Sequence, residues 1–453
     1  MTTLAHPEDK VEKNNSSQMT SASTGERKSA LPYGVGILAN SILGETFGGF
    51  AYFYYVDFLG LAMASAALVR TIFTFWDVAD DPIMGFLSDG TRTRWGRRRP
   101  WLFITLPLMI IVFIGVFSVP AAYQAPSKLF RYMLVILLLY ETLASILWVN
   151  YSSLYPELFK SPPERTQVAV FCQTGNILGL IVALVLSPLL FQTIGYSKMA
   201  ILYVLAAVML YLVSLYFNRE RPATRAQSRP AVWPILRGIV ADRVFLLYAL
   251  MMILTIFSTS MSVFSLPFYV KYALHQKTGI ISLLSGVALI SALLSMPAWN
   301  KLIRTRSLGT AFFITVSLSA FGMLGMGLAP NLPIAGIFFI VFGGAVQGIN
   351  VIHIVIRGGL VSRNVSSTGS QNEGFYYGLM NSTLRMTGLL QSMAMLLIGV
   401  IFGYISGEKP GPHPDFAFRF LIGFLPVVSL LTASFFARKF FKAFTIDQTP
   451  HNS

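Results

Sequence analysis

Apolar residues recur along this chain in runs of about twenty, separated by short polar links, the length a helix needs to cross a bilayer. The runs predict twelve membrane-spanning helices. They lie at Leu31–Asp57, Met63–Ser88, Trp101–Ala122, Leu129–Leu154, Val168–Phe191, Met199–Phe217, Phe245–Ala273, Gly279–Ala298, Leu308–Ala329, Leu332–Val355, Phe375–Ile405 and Phe416–Phe436. Several exceed 25 residues, so those helices should be tilted. Before the first run, residues 1–30 are polar and of mixed charge, with no apolar core of a signal peptide; they read as a disordered tail.

The longest internal polar link, Asn218 to Asp242, is rich in Arg and Pro and falls between the sixth and seventh runs. Two sets of six spans about a basic central link is the architecture of the major facilitator fold. The expected fold class is therefore an all-α polytopic membrane protein, with twelve transmembrane helices in two six-helix bundles. The predicted organisation is a tail (1–30), an N-terminal bundle (31–217), a basic linker (218–243), a C-terminal bundle (244–436) and a second tail (437–453).

Composition supports this picture. Charged residues make up only 12% of the 453 residues and mean hydropathy is +0.63, about half the charge of a soluble protein. The net charge of +15 would suggest nucleic-acid binding in a soluble chain, but here its distribution explains it. With the N-terminus in the cytoplasm, 25 of the 34 Lys and Arg residues fall in cytoplasmic segments and seven on the other face. That bias places both termini in the cytoplasm and predicts a multi-pass protein of a plasma or bacterial inner membrane. One cysteine, Cys172, allows no internal disulfide. No Walker sequence, HExxH or Cys/His cluster occurs, so nothing indicates an enzyme or a cofactor.

Candidate chemistry centres on Phe73 to Arg99, FTFWDVADDPIMGFLSDGTRTRWGRRR. Asp77, Asp80 and Asp81 are spaced i, i+3, i+4 and share one helix face. Three carboxylates there cannot all carry charge in a membrane without a cation, which suits a proton or sodium bound through oxygen. Pro82 adds a local distortion. The following loop, with Gly85, Asp89, Arg92, Arg97 and Arg98, sets topology and offers a latch between conformations. On the fourth span, Glu141, Ser145 and Trp148 share one face. Ser145 could add a neutral oxygen ligand, Trp148 a stacking surface and Glu141 a charge needing a partner. Arg385 lies within the eleventh span and needs an anion, from the second-span acids or from the solute. Arg70, Glu45 and His353 are weaker signals.

WDVADDPIMGFLSDGTRTRWGRRRPWL resembles the second-span signature of the glycoside–pentoside–hexuronide:cation symporters, the melibiose permease group of the major facilitator superfamily. YSSLYPEL (151–158), ERTQV (164–168) and TGSQNEGFYYG (368–378) extend the resemblance over nearly the whole chain. It implies that Asp77 and Asp81 bind the coupling cation, H+ or Na+. Asp80 stands where the melibiose permease has asparagine, Ser145 where a threonine assists the cation, and Arg385 where a lysine couples cation to sugar. On the substrate side, Ser41, Trp148 and Gln173 stand where that permease has two acids and an arginine.

The expected function is symport of a sugar or glycoside by alternating access, in a monomer whose partners are a small solute, a cation and the bilayer. Two alternatives are a transporter of an amphipathic, lysolipid-like solute, including by efflux, and a non-transporting membrane receptor.

Overall fold

The structure is a computed structural model. It describes residues 7–89, 91, 93, 96–159, 162–218, 237–239, 241–368, 373–407 and 410–446, without the side chains of 7–29, 81, 82, 85, 86, 89, 156, 157, 162, 163, 166, 364–368, 373–375, 377, 445 and 446.

The N-terminal bundle comprises α1 (Pro7–Phe53), α2 (Met63–Asp89), α3 (Arg99–Phe117), α4 (Pro126–Leu158), α5 (Pro162–Leu180, continued by Ile181–Leu186 and Ser187–Thr193) and α6 (Tyr196–Phe217). The C-terminal bundle comprises α7 (Arg243–Phe268, continued by Tyr269–Ala273), α8 (Gly279–Thr305), α9 (Leu308–Leu328), α10 (Leu332–Thr368), α11 (Glu373–Arg385 and Thr387–Phe402) and α12 (Pro414–Arg419, Phe420–Phe424 and Leu425–Ile446). Among the described residues, ten helices are long and apolar enough to cross a membrane. The other two are α1 and α2; the middle of α2 carries Arg70, Asp77 and Asp80.

Helix α1 begins at Pro7, inside the stretch read as a disordered tail. Hydropathy marks where a helix meets lipid and not where its hydrogen bonding starts. Elsewhere the helix starts follow local chemistry. Asp242 caps α7 by accepting from the Val244 N–H at 2.9 Å, and Ser307 caps α9 by accepting from the Thr310 N–H at 3.1 Å, each satisfying an otherwise orphaned donor.

Within a bilayer, helices associate through close packing rather than exclusion from water. Helices α1 and α5 meet backbone to backbone: a Cβ on Gly175 would lie 2.3 Å from the Gly34 carbonyl oxygen. Across the bundles, a Cβ on Gly388 of α11 would lie 2.2 Å from Thr74 Oγ1 of α2. The α2–α11 contact is thus possible only without a side chain at 388.

At the end remote from the basic α2–α3 loop, the bundles are tied together. Both α1 and α7 finish in π-helical turns, Tyr54–Phe58 and Tyr269–Ala273. Asp57 in the first accepts from Lys271 Nζ at 2.6 Å and from the Tyr272 hydroxyl at 2.5 Å in the second. Beneath them the Phe53 and Phe268 rings meet edge-on with centroids 5.0 Å apart, and Tyr52 meets Phe264 at 5.9 Å. At the opposite end the described bonds include ones that join helices of the same bundle: Arg98 donates to Ser88 at 2.5 Å, Arg99 to the Leu215 carbonyl at 2.8 Å, and Arg363 pairs with Asp242 at 2.6 Å.

Asp57→Asn removes the charge that holds Lys271. Cysteine at position 56, in a Cys172→Ser background, should then label about tenfold faster with a membrane-impermeant thiol reagent from the Lys271 side, the effect of a shift of about 1.4 kcal/mol. An unchanged rate would mean that the ion pair does not hold the two ends together.

Candidate functional site

A cavity of about 300 Å³ opens between the bundles, lined from α1, α2, α3, α4, α6 and α11. Its α1 wall is the face Asn40, Gly44 and Gly48, which repeats every fourth residue. A Cβ on Gly44 or Gly48 would meet nothing within 4 Å, so these glycines leave open volume.

Asp77 and Glu141 of the cavity wall converge with Asp80 behind them, one carboxylate oxygen from each lying within 4.8 Å of the others. Asp80 is fully buried, and its Oδ1 accepts from the Ser145 hydroxyl at 3.1 Å. Helices α2 and α4, which bring them together, are joined by Trp76, whose Nε1 donates to Thr142 Oγ1 at 2.9 Å. Three anions at this spacing between membrane helices demand positive charge.

Arg385 supplies it from the other bundle. Its guanidinium pairs with the Asp77 carboxylate, donates to the Asp77 backbone carbonyl at 2.9 Å and lies 3.6 Å from Glu141 Oε1. Helix α11 is interrupted immediately afterwards, at Met386. Arg385 therefore sits in the last turn of the first segment of α11, the end of a helix dipole that favours a cation. Discontinuous helices beside a site between two bundles are a recurrent way of making ion and substrate sites.

The predicted residues separate into groups. Asp77, Asp80, Glu141, Ser145 and Arg385 come together, and Trp148, 40% exposed, lines the same cavity. Glu141, the fourth-span charge needing a partner and an expected substrate-binding residue, lines the cavity and stands with the second-span acids, because α2 and α4 present these residues to the same space. Ser41 lies off the cavity: its hydroxyl donates to Asn176 Oδ1 at 2.7 Å and it abuts Gly179, since it stands one residue, and so about 100° of helix, from the Asn40 face. Gln173 is exposed and Glu45 half-buried, and neither lines the cavity. Arg97 is half-buried, while Arg98 is buried against its own bundle. Gly85 and Asp89, expected in the loop, stand in the last turns of α2 because the helix continues to Asp89; the side chains of Asp81 and Asp89, and the whole of Arg92, lie outside the described residues. Sequence reasoning missed Asn40, Gly44, Gly48, Tyr140 and Tyr211 as lining residues; the Asn-Gly-Gly spacing of four along α1 was the available signal.

The fold and a charged site between its bundles define a membrane protein of the major facilitator type. The MFS/sugar transport protein family matches residues 32–441, and the chain belongs to that family. The glucuronide carrier protein homolog of Escherichia coli (strain K12) is 24% identical over 413 residues, covering 88% of this chain and 89% of that protein. Sodium-dependent lysophosphatidylcholine symporter 1 of Mus musculus is 26% identical over 227 residues, covering 49% of this chain and 41% of the mouse protein; the match thus spans less than half of that protein's length. A solved bacterial homolog of the human lysosomal transporter Spinster, inward-facing and unoccupied, matches with a TM-score of 0.64 at 13% identity, over 94% of this chain and 98% of that one, a likeness of fold alone.

Arg385→Gln leaves Asp77 and Glu141 facing each other without their guanidinium. The pair is half-buried, so breaking one side should cost less than the ~3–5 kcal/mol of a fully buried pair, and the thermal unfolding midpoint of the purified protein should fall. Adding Asp77→Asn should recover part of the loss. A double variant as unstable as the single one would mean that the two side chains are not energetically coupled.

Proposed function

We propose that the protein is a secondary active transporter that couples movement of a small solute to H+ or Na+ by alternating access. The observation that carries this reading is Arg385 of one bundle seated among the carboxylates of the other. Asp77, Asp80 and Glu141 with the Ser145 hydroxyl form an all-oxygen donor set suited to a hard monovalent cation or a proton. Asp81 joins them by resemblance to the family. The cation and the guanidinium compete for the same carboxylates. Cation binding therefore releases Arg385 and α11 from α2, changing the contact between the bundles, and by linkage the solute and the cation each raise the other's affinity.

Closure at Asp57 and Lys271 fits a conformation whose cavity communicates with the basic-loop face. We place that face, and both termini, in the cytoplasm of a plasma or inner membrane, with the protein acting as a monomer. The last turn of α2 from Gly85, with the loop that follows it to Arg98, then acts as the cytoplasmic latch that exchanges with the Asp57 closure. A sugar or glycoside is the first cargo reading. Trp148, exposed within the cavity, favours a second: an amphipathic solute with an aromatic-facing apolar part.

The test is flux in proteoliposomes containing a pH-sensitive dye, with solutes screened with and without sodium. A solute should move H+ or depend on Na+, and Asp77→Asn should abolish accumulation against a gradient while sparing exchange; accumulation at the normal level in that variant would sink the cation site. If sodium is the coupling ion, its binding should weaken as pH falls, because protons compete for the same carboxylates. Sodium affinity independent of pH between about 5 and 8 would count against carboxylate ligation.

A further inference from the structure

The proposed cation site uses Arg385 and leaves a second guanidinium in the same cavity unexplained. Arg70 lies on α2 two turns before Asp77, on the same face, and lines the cavity. Arg385 has Asp77 and Glu141 around it. Among the described residues no carboxylate is in ion-pair contact with Arg70. Its neighbours are neutral. One Nη donates to Gln391 Oε1 of α11 at 2.7 Å, and the group lies 5.6 Å from the Tyr52 ring centroid and 5.4 Å from that of Phe73.

These neighbours hold the guanidinium without neutralising it. Gln391 is itself fixed, its amide N–H donating to Ser260 Oγ of α7 at 3.0 Å, so its carbonyl is turned to Arg70. That oxygen occupies one of five guanidinium N–H donors, and the ring faces contribute attraction but no counter-charge. A guanidinium presents two parallel donors to a carboxylate, sulfonate or phosphate, a match an ammonium lacks. Asp77 and Glu141 line the same cavity but are engaged by Arg385, and a cation among membrane helices whose direct partners are neutral is stabilised when an anion joins it. The cavity, at the small end for ligand pockets, offers the place for that anion.

We propose that Arg70 receives an acidic group of the solute, a carboxylate, sulfonate or phosphate ester, and that the protein selects anionic solutes. This rests on the reading of the cavity as the transport site. It also gives the coupling an electrostatic component: a cation held at the Asp77 cluster and an anion held at Arg70 share one cavity, so each lowers the cost of binding the other.

The test is equilibrium binding to the full chain in nanodiscs, using matched pairs that differ in one acidic group. One pair is methyl β-D-glucuronide and methyl β-D-glucoside; the other is a lysophosphatidate and the monoacylglycerol of the same chain. The two pairs distinguish a sugar acid from a lipid headgroup as the source of the anion. The anionic member of at least one pair should bind about tenfold tighter than its neutral partner, the scale of one added ion pair. Arg70→Gln should remove that preference and Arg70→Lys should retain part of it, with thermal unfolding measured for both so that a folding defect is seen as such. Equal affinity within both pairs, no binding by either anion, or a preference that survives in Arg70→Gln would overturn the assignment. Binding needs no turnover. An anion preference without flux would therefore remove the transport reading and leave this one standing, whereas coupled flux of neutral solutes unaffected by Arg70→Gln would do the reverse.

Discussion

Buried charge must be balanced, and in this molecule the balance is struck across the boundary between two bundles. Asp77, Asp80 and Glu141 belong to α2 and α4, while the guanidinium among them belongs to α11. Neither bundle is electrically complete at this site by itself. Ordinary packing would tolerate small relative motions of the bundles, but separation here parts opposite charges that lie within ion-pair distance. The contact that joins the halves at this point is thus electrostatic as well as steric.

Three local departures from ideal helix sit beside contacts between the bundles. The interruption at Met386 places Arg385 at a helix end. The π-helical turns at the ends of α1 and α7 bring Asp57 to Lys271 and Tyr272. Such turns are enriched at functional positions. They occur here at corresponding ends of the first helix of each bundle, consistent with an origin of both halves in one repeated unit.

Most of the fold was legible in the hydropathy pattern, because a bilayer imposes one length scale on every span. The start of α1 was not, since its first turns at Pro7 lie outside the apolar run. The acidic half of the site was equally legible: carboxylates at i, i+3 and i+4 inside an apolar run attract attention in any sequence. Their companion Glu141 was harder to assign, because its proximity to Asp77 arises from α2–α4 packing, to which local spacing is blind. Ser41 shows the opposite failure. The family pattern pointed to its position, while a hydrogen bond to Asn176 turns it toward α5. Arg70 looked ordinary in sequence and gained meaning only when its neutral surroundings were seen.

Gly44 and Gly48 carry a consequence for how such a protein can diversify. Both line the cavity, and side chains there would enter vacant volume rather than strike a neighbouring helix. They stand on α1, whereas the charged cluster is built on α2, α4 and α11. A single codon change at either glycine would reshape the compartment while leaving the ionic machinery untouched. Cavity volume and the charged cluster are therefore separable traits in this architecture, free to drift on different evolutionary clocks.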